Sequence, residues 1–202
     1  MNPRKVTIAV LLAGLLPVAA LPAQESSRWQ ARLQAGMYYP ASADIQDIYA
    51  TAKALTAGLT MPLGTKSRIR AQVHLASASG DPYFSTPDFY AGDVAHLRMR
   101  TLGFMLETRG HEGAGPALWP GVGVVFVTGS EKIDGVSDSA LLGVGGVVGI
   151  NPEIALTKTL VIQGEIAFRF LEGSFREGKT RYRQNLSGVV LTLGLAWRFR
   201  QE

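Results

Sequence analysis

The chain of 202 residues contains no cysteine, only three histidines and little net charge. Without cysteine it has no disulfide bond, thiolate metal site or thiol nucleophile, so its stability has to come from packing and backbone pairing. Twenty basic residues stand against sixteen acidic ones. So small an excess argues against a nucleic-acid-binding surface. We therefore expect no nucleic-acid partner, and no motif in the chain predicts a metal or another cofactor.

Long apolar runs are also scarce, and one stands at the N-terminus. Arg4 and Lys5 precede "VTIAVLLAGLLPVAA", and the small residues of "LPAQ" follow. This order predicts a cleaved export signal over 1–23 and a single domain over 24–202. An uncleaved anchor is the alternative, but the run is short and contains Pro17. A later stretch, "GAGPALWPGVGVVFVTGS", holds five glycines and two prolines and would make a poor membrane helix.

The sequence is rich in strict alternation instead. In "SGVVLTLGLAWRF", residues 187–199, almost every second residue is apolar and the residues between are small or polar. That period predicts a β-strand with two unlike faces. Seven more stretches show it, at about 28–39, 52–61, 68–75, 96–108, 117–128, 139–150 and 158–171. Eight strands of about ten residues match the length that a tilted strand needs to cross a bilayer.

Two details refine this prediction. In the fourth stretch the apolar positions change from odd-numbered residues, Leu97 and Met99, to even-numbered ones, which predicts a bulge near Arg100 and Thr101. The connections between strands alternate between short and long, as in outer-membrane barrels. The short connections are "PLGTKS", "RGHEGAGPA" and "NPEIALTK".

The alternation leaves open which face meets water. A soluble, lipocalin-like periplasmic barrel would bury the apolar rows and bind an apolar ligand inside, whereas a membrane barrel turns those rows to lipid. The polar rows contain many glycines, which suit a crowded interior, and aromatics flank the apolar rows. These aromatics are Trp29, Tyr39, Trp197 and Phe199. We therefore favour an all-β fold, an eight-stranded antiparallel up-and-down transmembrane β-barrel.

Three segments also resemble a known family. "NLSGVVLTLGLAWRF" resembles the closing strand of the small eight-stranded outer-membrane β-barrels, the opacity-protein-like group. "GVVGINPEIALTKTLVIQGEIAFRF" and "GMYYPASADIQDIY" are similar to other strands and connections of that group. The resemblance implies a monomer in the outer membrane and an assembly signal, read by the barrel assembly machinery, at Leu195, Trp197 and Phe199. Residues 200–202 follow Phe199, where such chains often stop.

The polar faces carry the charges that such a barrel would enclose. Buried charges need partners, and an eight-stranded interior has room for side chains only. We therefore predict a charge network that is centred on Glu165 and plugs the lumen. A narrow ion path is the alternative. The predicted members are Arg32, Arg68, Arg70, Glu107, Glu165, Arg169 and Arg198.

Two patterns in the sequence are also found in catalytic sites. Some small outer-membrane barrels modify lipids, which would need a histidine near a serine and an acid; His74 precedes Ser77, Ser79 and Asp81. The stretch "GSFREGKT" matches the phosphate-binding loop pattern, but another alternating strand follows it where a helix is required. We expect no enzymatic activity, no catalytic residue and no bound nucleotide.

The long connections carry the residues suited to outside contacts. Aromatics stand in one connection and basic residues in another, so outer-membrane lipid and lipopolysaccharide are expected partners and adhesion is a candidate role. Solvated loops without a partner are the alternative. The candidate contact residues are Tyr83, Phe84, Tyr90, Arg176, Lys179 and Arg181.

Overall fold

A computed structural model describes residues 28–80, 94–110, 116–133 and 137–199. The proposed export signal, residues 1–23, lies outside the described residues and stays a prediction. Within these ranges the chain forms nine strands and one short helix. They are β1 (Trp29–Pro40), α1 (Ala43–Tyr49), β2 (Ala52–Pro62), β3 (Ser67–Gly80), β4 (Ala95–Thr108), β5 (Ala117–Ile133), β6 (Ser137–Ala155), β7 (Leu160–Glu177), β8 (Thr180–Asn185) and β9 (Gly188–Phe199).

The strands close into a barrel in which every neighbouring pair is antiparallel. Strands β1 to β7 pair in chain order, and β9 closes the sheet by pairing with both β7 and β1. Strands β8 and β9 together form the eighth strand of the barrel, which is interrupted at Leu186 and Ser187. There the Leu186 amide donates to the Leu171 carbonyl at 2.8 Å, and the Leu171 amide donates to Ser187 Oγ at 3.0 Å. The eight-stranded antiparallel barrel predicted from the sequence is confirmed.

Several strands are longer than their alternation predicts. Most of the connection expected over 128–138 belongs to β5 and β6, and most of 172–185 forms the β7–β8 hairpin. That hairpin turns at Gly178 and Lys179, with Gly178 in the left-handed region at φ +56°. Tight turns lie at the end that holds Trp29 and Phe199. Because periplasmic turns are short in outer-membrane barrels, we take this end as periplasmic and the end with α1 as extracellular.

A continuous apolar belt covers the outside of the barrel. Val122 and Leu142 are 62% and 67% exposed, and Leu33, Phe104, Phe170 and Leu195 belong to the same belt. A soluble barrel would hide these side chains, so the structure contradicts the lipocalin-like alternative for this part of the wall. Such a surface is stable in hydrocarbon. Closure of the barrel pairs the backbone N–H and C=O groups, which lipid cannot hydrogen-bond. No helix among the described residues is long and apolar enough to span a membrane.

The polarity of the two faces inverts along the strands. Toward the extracellular end, Leu97 and Met99 point inward and are buried, while Arg98 and Arg100 point outward and are exposed. The β4 register against β3 and β5 continues without a break through this stretch. The bulge predicted near Arg100 and Thr101 is therefore wrong. The apolar phase changes because the strand leaves lipid for water, where apolar side chains move inside and polar ones outside.

Helix α1 closes the extracellular mouth over an apolar core. Ile45 and Tyr49 lie four residues apart on one helical face and are almost completely buried. They pack with buried side chains from several strands. The sequence pattern did not predict this helix. The core members nearest the mouth include Tyr38, Ala52, Ala76, Leu97, Ile133, Leu141, Leu171, Phe175 and Leu186.

Candidate functional site

The membrane-spanning interior gathers charged side chains from six strands. Strict alternation sends each of them inward, because every one occupies the same face of its strand as the small or polar residues beside it. All are buried, with exposed fractions of 8% or less. They are Arg32 on β1, Arg68 and Arg70 on β3, Glu107 on β4, Glu153 on β6, Glu165 and Arg169 on β7, and Arg198 on β9.

Arg70 links two of the buried carboxylates. Its Nη1 lies 2.9 Å from Glu107 Oε1, and its Nη2 lies 3.5 Å from Glu165 Oε1. The other Glu165 oxygen accepts a hydrogen bond from Arg32 Nη2 at 3.2 Å. Each carboxylate is thus held by more than one donor, which offsets the cost of removing it from water.

Arg68 extends the same chain of contacts toward the periplasmic end. Its Nε donates to Glu107 Oε2 and its Nη1 donates to Glu153 Oε1, both at 2.5 Å. Arg198 Nη2 lies 3.3 Å from the second Glu153 oxygen. The guanidinium of Arg68 also stacks on the Trp119 ring at 3.9 Å, a cation–π contact.

The resulting lumen network is an alternating series of four arginines and three glutamates. Its order is Arg32, Glu165, Arg70, Glu107, Arg68, Glu153, Arg198. The series begins on β1 and ends on the adjacent strand β9. Between these ends it passes through β7, β3, β4 and β6, so it crosses the lumen rather than lining one side.

Neutral polar side chains fill the gaps of the lumen network. Asn151 accepts from Arg70 through Oδ1 and donates to Glu107 through Nδ2 at 2.8 Å. Gln163 donates to Glu153 at 2.7 Å, and Gln72 donates to Glu165 at 3.3 Å. Such amides satisfy carboxylate lone pairs that the arginines do not reach.

The sequence prediction of the lumen network missed Asn151 and Glu153. Both were assigned to a short turn, but β6 runs on to Ala155 and keeps both side chains inside. They share their odd-numbered phase with the inward glycines Gly145 and Gly149, and this parity is the signal that identifies them. Glu165 is therefore one of three carboxylates in the series and not its centre.

Arg169 is within electrostatic reach of Glu165 but is not joined to this series by an ion pair. It is 2% exposed and donates to Thr101 Oγ1 at 3.0 Å, but it forms no ion pair with the residues that the structure describes. Among the described residues, the spanning interior contains five arginines and three glutamates.

The residues of the catalytic hypothesis do not come together. His74 points inward and its Nδ1 lies 2.9 Å from Thr56 Oγ1, whereas Ser77 and Ser79 point outward on the same strand. Ser79 instead contacts His96 at 2.9 Å, and Asp81 lies outside the described residues. The stretch "GSFREGKT" runs from β7 through the turn into β8, without the helix that a phosphate-binding loop requires.

A second polar cluster lies in the extracellular mouth, among the described side chains there. The Tyr49 hydroxyl donates to Glu131 Oε1 at 2.6 Å, and the Tyr182 hydroxyl donates to Glu131 Oε2 at 3.1 Å. The Tyr182 ring stacks on Phe175, with 5.3 Å between centroids. Burial raises the pKa of the Tyr49 phenol above its ordinary value, and the hydrogen bond to Glu131 raises this pKa further. These contacts fasten α1 to the barrel wall.

The remaining predicted site residues lie on the outside or beyond the description. Leu195, Trp197 and Phe199 point outward on β9 and belong to the apolar belt. The basic side chains Arg176, Lys179 and Arg181 are exposed on the β7–β8 hairpin. The other three contact candidates, Tyr83, Phe84 and Tyr90, lie outside the described residues.

Comparisons with known proteins find the same fold among outer-membrane proteins. OprG from Pseudomonas aeruginosa has a TM-score of 0.67 at 12% identity, over 90% of this chain and 100% of that one. A major outer membrane protein of Thermus thermophilus has a TM-score of 0.60 at 14% identity, over 87% and 100%. Neisserial surface protein A has 0.54 at 13% identity, over 85% and 96%. No protein-family model and no curated protein matches the chain.

The fold and the apolar belt together define the class of this protein. It is an outer-membrane β-barrel protein, and its belt places the barrel wall in the hydrocarbon of that membrane. The family resemblance of the three sequence segments is confirmed at the level of fold. At 12–14% identity these neighbours show the fold alone.

Proposed function

We propose that this protein is a closed, non-enzymatic outer-membrane barrel that acts at the cell surface and transports nothing through its lumen. One observation carries the proposal: an unbroken series of ion pairs leads from Arg32 on β1 across the lumen to β3 and β4 and returns through β6 to Arg198 on β9. Above that series, the apolar core under α1 occupies the extracellular half. An ion would have to break buried ion pairs and then cross an apolar plug, and both steps are costly.

Conductance measurements test the closed lumen. The refolded mature barrel in a planar bilayer is expected to give no discrete current steps. Replacing Arg68, Arg70 and Glu107 by serine removes the middle of the series and is expected to produce ion-conducting steps. A heat-modifiability gel checks that both proteins are folded. Stable current steps from the unaltered, folded barrel would refute the proposal.

The extracellular end is the part of the protein left for contact with surroundings. Exposed Arg176, Lys179 and Arg181 project on the β7–β8 hairpin, where phosphate or carboxylate groups of surface polymers could pair with them. Deleting residues 81–93 tests the aromatic contribution of Tyr83, Phe84 and Tyr90, with adhesion to host cells or abiotic surfaces as the measurement. If adhesion is unchanged both in this deletion and after substitution of the three hairpin residues, the protein has a purely structural role in the envelope.

Assembly and catalysis complete the proposal. The outward row of Leu195, Trp197 and Phe199 is suited to recognition by the barrel assembly machinery because it lies on the closing strand, whose edge is unpaired until β9 meets β1. Phe199→Ala is expected to slow insertion in cells. The stability of the refolded barrel should fall only by the small contribution of one outward side chain. For catalysis, His74→Ala is expected to leave the composition of the membrane lipids unchanged, since His74 contacts Thr56 inside the barrel and Ser77 and Ser79 point outward.

A further inference from the structure

We propose that the outer wall of β2 to β4, just above the apolar belt, is a binding site for the phosphorylated headgroup of an outer-leaflet lipid. The headgroup site is defined here by Lys53, Ser77, Arg98 and Arg100. It rests on the outer-membrane position of the barrel but not on the closure of its lumen. The function proposed above does not include it, and the hairpin residues suggested by the sequence are not part of it.

The register of the sheet assembles the headgroup site. Lys53 pairs with Ser77 across β2 and β3, and Ser77 pairs with Arg98 across β3 and β4. Directly paired residues share a face of the sheet, so the serine hydroxyl stands between two cations. Arg100 lies two residues along β4 from Arg98, on the same outward face.

A groove gives this surface a shape. It has a volume of about 440 Å³ and runs over the outer face of the three strands. The outward side chains that line it are all polar or basic, and Ser79 and His96, which contact each other at 2.9 Å, form part of its wall. Its outward-facing lining residues are Thr51, Lys53, Ser77, Ser79, His96 and Arg98.

Among the residues that the structure describes, no acidic side chain neutralises the cations of this surface. Lys53, Arg98, Arg100 and the nearby Lys132 are exposed, and none makes an ion pair with the described residues. No acidic side chain among the described residues of β2 to β5 points outward, because the two glutamates there, Glu107 and Glu131, are buried inside. The basic residues of the β7–β8 hairpin differ, since Arg183 lies 3.5 Å from Glu172 and Arg176 donates to the Gly178 carbonyl.

The height of the headgroup site selects a membrane lipid as its occupant. Lys53 pairs across the sheet with Met37, and Arg100 pairs with Leu75, and both apolar partners belong to the belt. The cations therefore begin where the hydrocarbon ends, at the level of lipid phosphates. Acyl chains of the same molecule would lie on Leu55 and Leu75 below, while arginine binds phosphate through paired hydrogen bonds.

Lipid binding to the folded barrel in a zwitterionic detergent tests the proposal. The probes are diphosphoryl lipid A, the same lipid with its phosphates removed, and inorganic phosphate, and bound lipid is counted by native mass spectrometry. We expect one tightly bound diphosphoryl lipid A, and affinity lower by at least about tenfold for the dephosphorylated lipid. Equal binding of both lipids would overturn the site, and tight binding of inorganic phosphate alone would overturn its assignment to a lipid.

Two triple variants with the same loss of charge locate the site. Lys53→Gln/Arg98→Gln/Arg100→Gln is expected to weaken lipid A binding by at least about tenfold, because three charge-assisted contacts are lost. Lys66→Gln/Arg109→Gln/Lys158→Gln, at the periplasmic end, is expected to bind within about twofold of the unaltered barrel, less than one such contact. Equal weakening by both variants would show a nonspecific charge effect and refute the headgroup site.

A single substitution tests the site if the triple variant does not fold. Arg98→Gln alone is expected to weaken binding several-fold while the heat-modifiability of the barrel is unchanged, and unchanged affinity would contradict the proposal. The outcome is separable from that of the closed lumen. A barrel that conducts ions yet binds lipid A through these residues would refute closure alone, and a closed barrel without binding would refute the headgroup site alone.

Discussion

Arg70 Nη1 lies 2.9 Å from Glu107 Oε1 in the middle of the barrel, and both side chains are completely buried. Neither group has access to water, so each depends on the other for its charge to be tolerated. Arg70 also reaches Glu165, which makes it the joint between the two halves of the lumen network. This dependence leads to the first two predictions.

Glu165→Gln is expected to lower the free energy of unfolding by about 3 kcal/mol, because it leaves Arg32 and Arg70 buried with less negative charge. The measurement is reversible urea unfolding in lipid vesicles. Glu172→Gln is the matched control. It breaks the exposed pair with Arg183 and should cost less than about 1 kcal/mol. Equal costs for the two variants would show that the buried pairs contribute no more than surface ones.

Arg169→Met is expected to leave stability unchanged or to raise it by about 1 kcal/mol, since Arg169 is buried without an ion pair among the described residues. The same replacement at Arg70 should lower stability by about 3 kcal/mol, because Glu107 and Glu165 each lose a partner. Urea unfolding of the two variants side by side makes the comparison. A large loss for Arg169→Met would mean that this charge has a stabilising partner.

The cap formed by α1 is expected to weaken in alkali. The raised pKa of Tyr49 means that its neutral form is favoured in the folded protein, so its contribution is complete below the ordinary tyrosine pKa of about 10 and is lost as pH rises beyond it. Above that pH the stability of the unaltered barrel should fall more steeply than that of Tyr49→Phe, by up to about 1.4 kcal/mol per pH unit.

Stability measured from pH 8 to 12 in the two proteins checks this prediction about the cap. Tyr39→Phe is the control, because the Tyr39 hydroxyl lies near Met37 Sδ on the outer face and not in the mouth. Parallel pH curves for the unaltered barrel and Tyr49→Phe would contradict the role of the Tyr49–Glu131 contact.

The inward glycines of β5 and β6 are expected to be intolerant of any side chain. A Cβ at Gly123 would collide with the Phe104 carbonyl on the neighbouring strand, so Gly123→Ala should destabilise the barrel by about 2 kcal/mol or prevent its closure. At Gly146, on the outer face, the nearest atom to such a Cβ is 3.8 Å away, and alanine should be tolerated. Heat-modifiability of the two variants distinguishes them, and equal behaviour would argue against close packing of the wall.

The barrel could be predicted from the sequence because period-two alternation survives wherever one face meets lipid. The same alternation also predicted the inward charges, from Arg32 to Arg198, on the strands whose bounds were recognised. Glu153 was missed because Pro152 and the following residues suggested a turn, although the inward parity continues through them. Once Glu153 is included, the ion pairs form an unbroken series.

The extracellular half was harder to predict for a physical reason. There the same strands stand in water, so apolar residues such as Leu97 and Phe175 turn inward and the pattern resembles a soluble barrel. A prediction that assumes one apolar outer face along the whole strand therefore mistakes the change from lipid to water for a bulge or for the start of a loop. The short helix α1 was also missed for a physical reason. It is stabilised by the tertiary packing of Ile45 and Tyr49, and seven residues are too few to show a long helical pattern.

The apolar rows face lipid up to the level of Arg100, and spin labelling along β4 can check where lipid gives way to water. The chain has no cysteine, so single cysteines at 98, 100, 102, 104 and 106 are unique attachment points. In lipid vesicles we predict strong oxygen and weak nickel-chelate accessibility for Leu102→Cys, Phe104→Cys and Leu106→Cys, and the reverse for Arg98→Cys and Arg100→Cys. Nickel-chelate access at all five positions would contradict the account, since it would place the whole outer face in water.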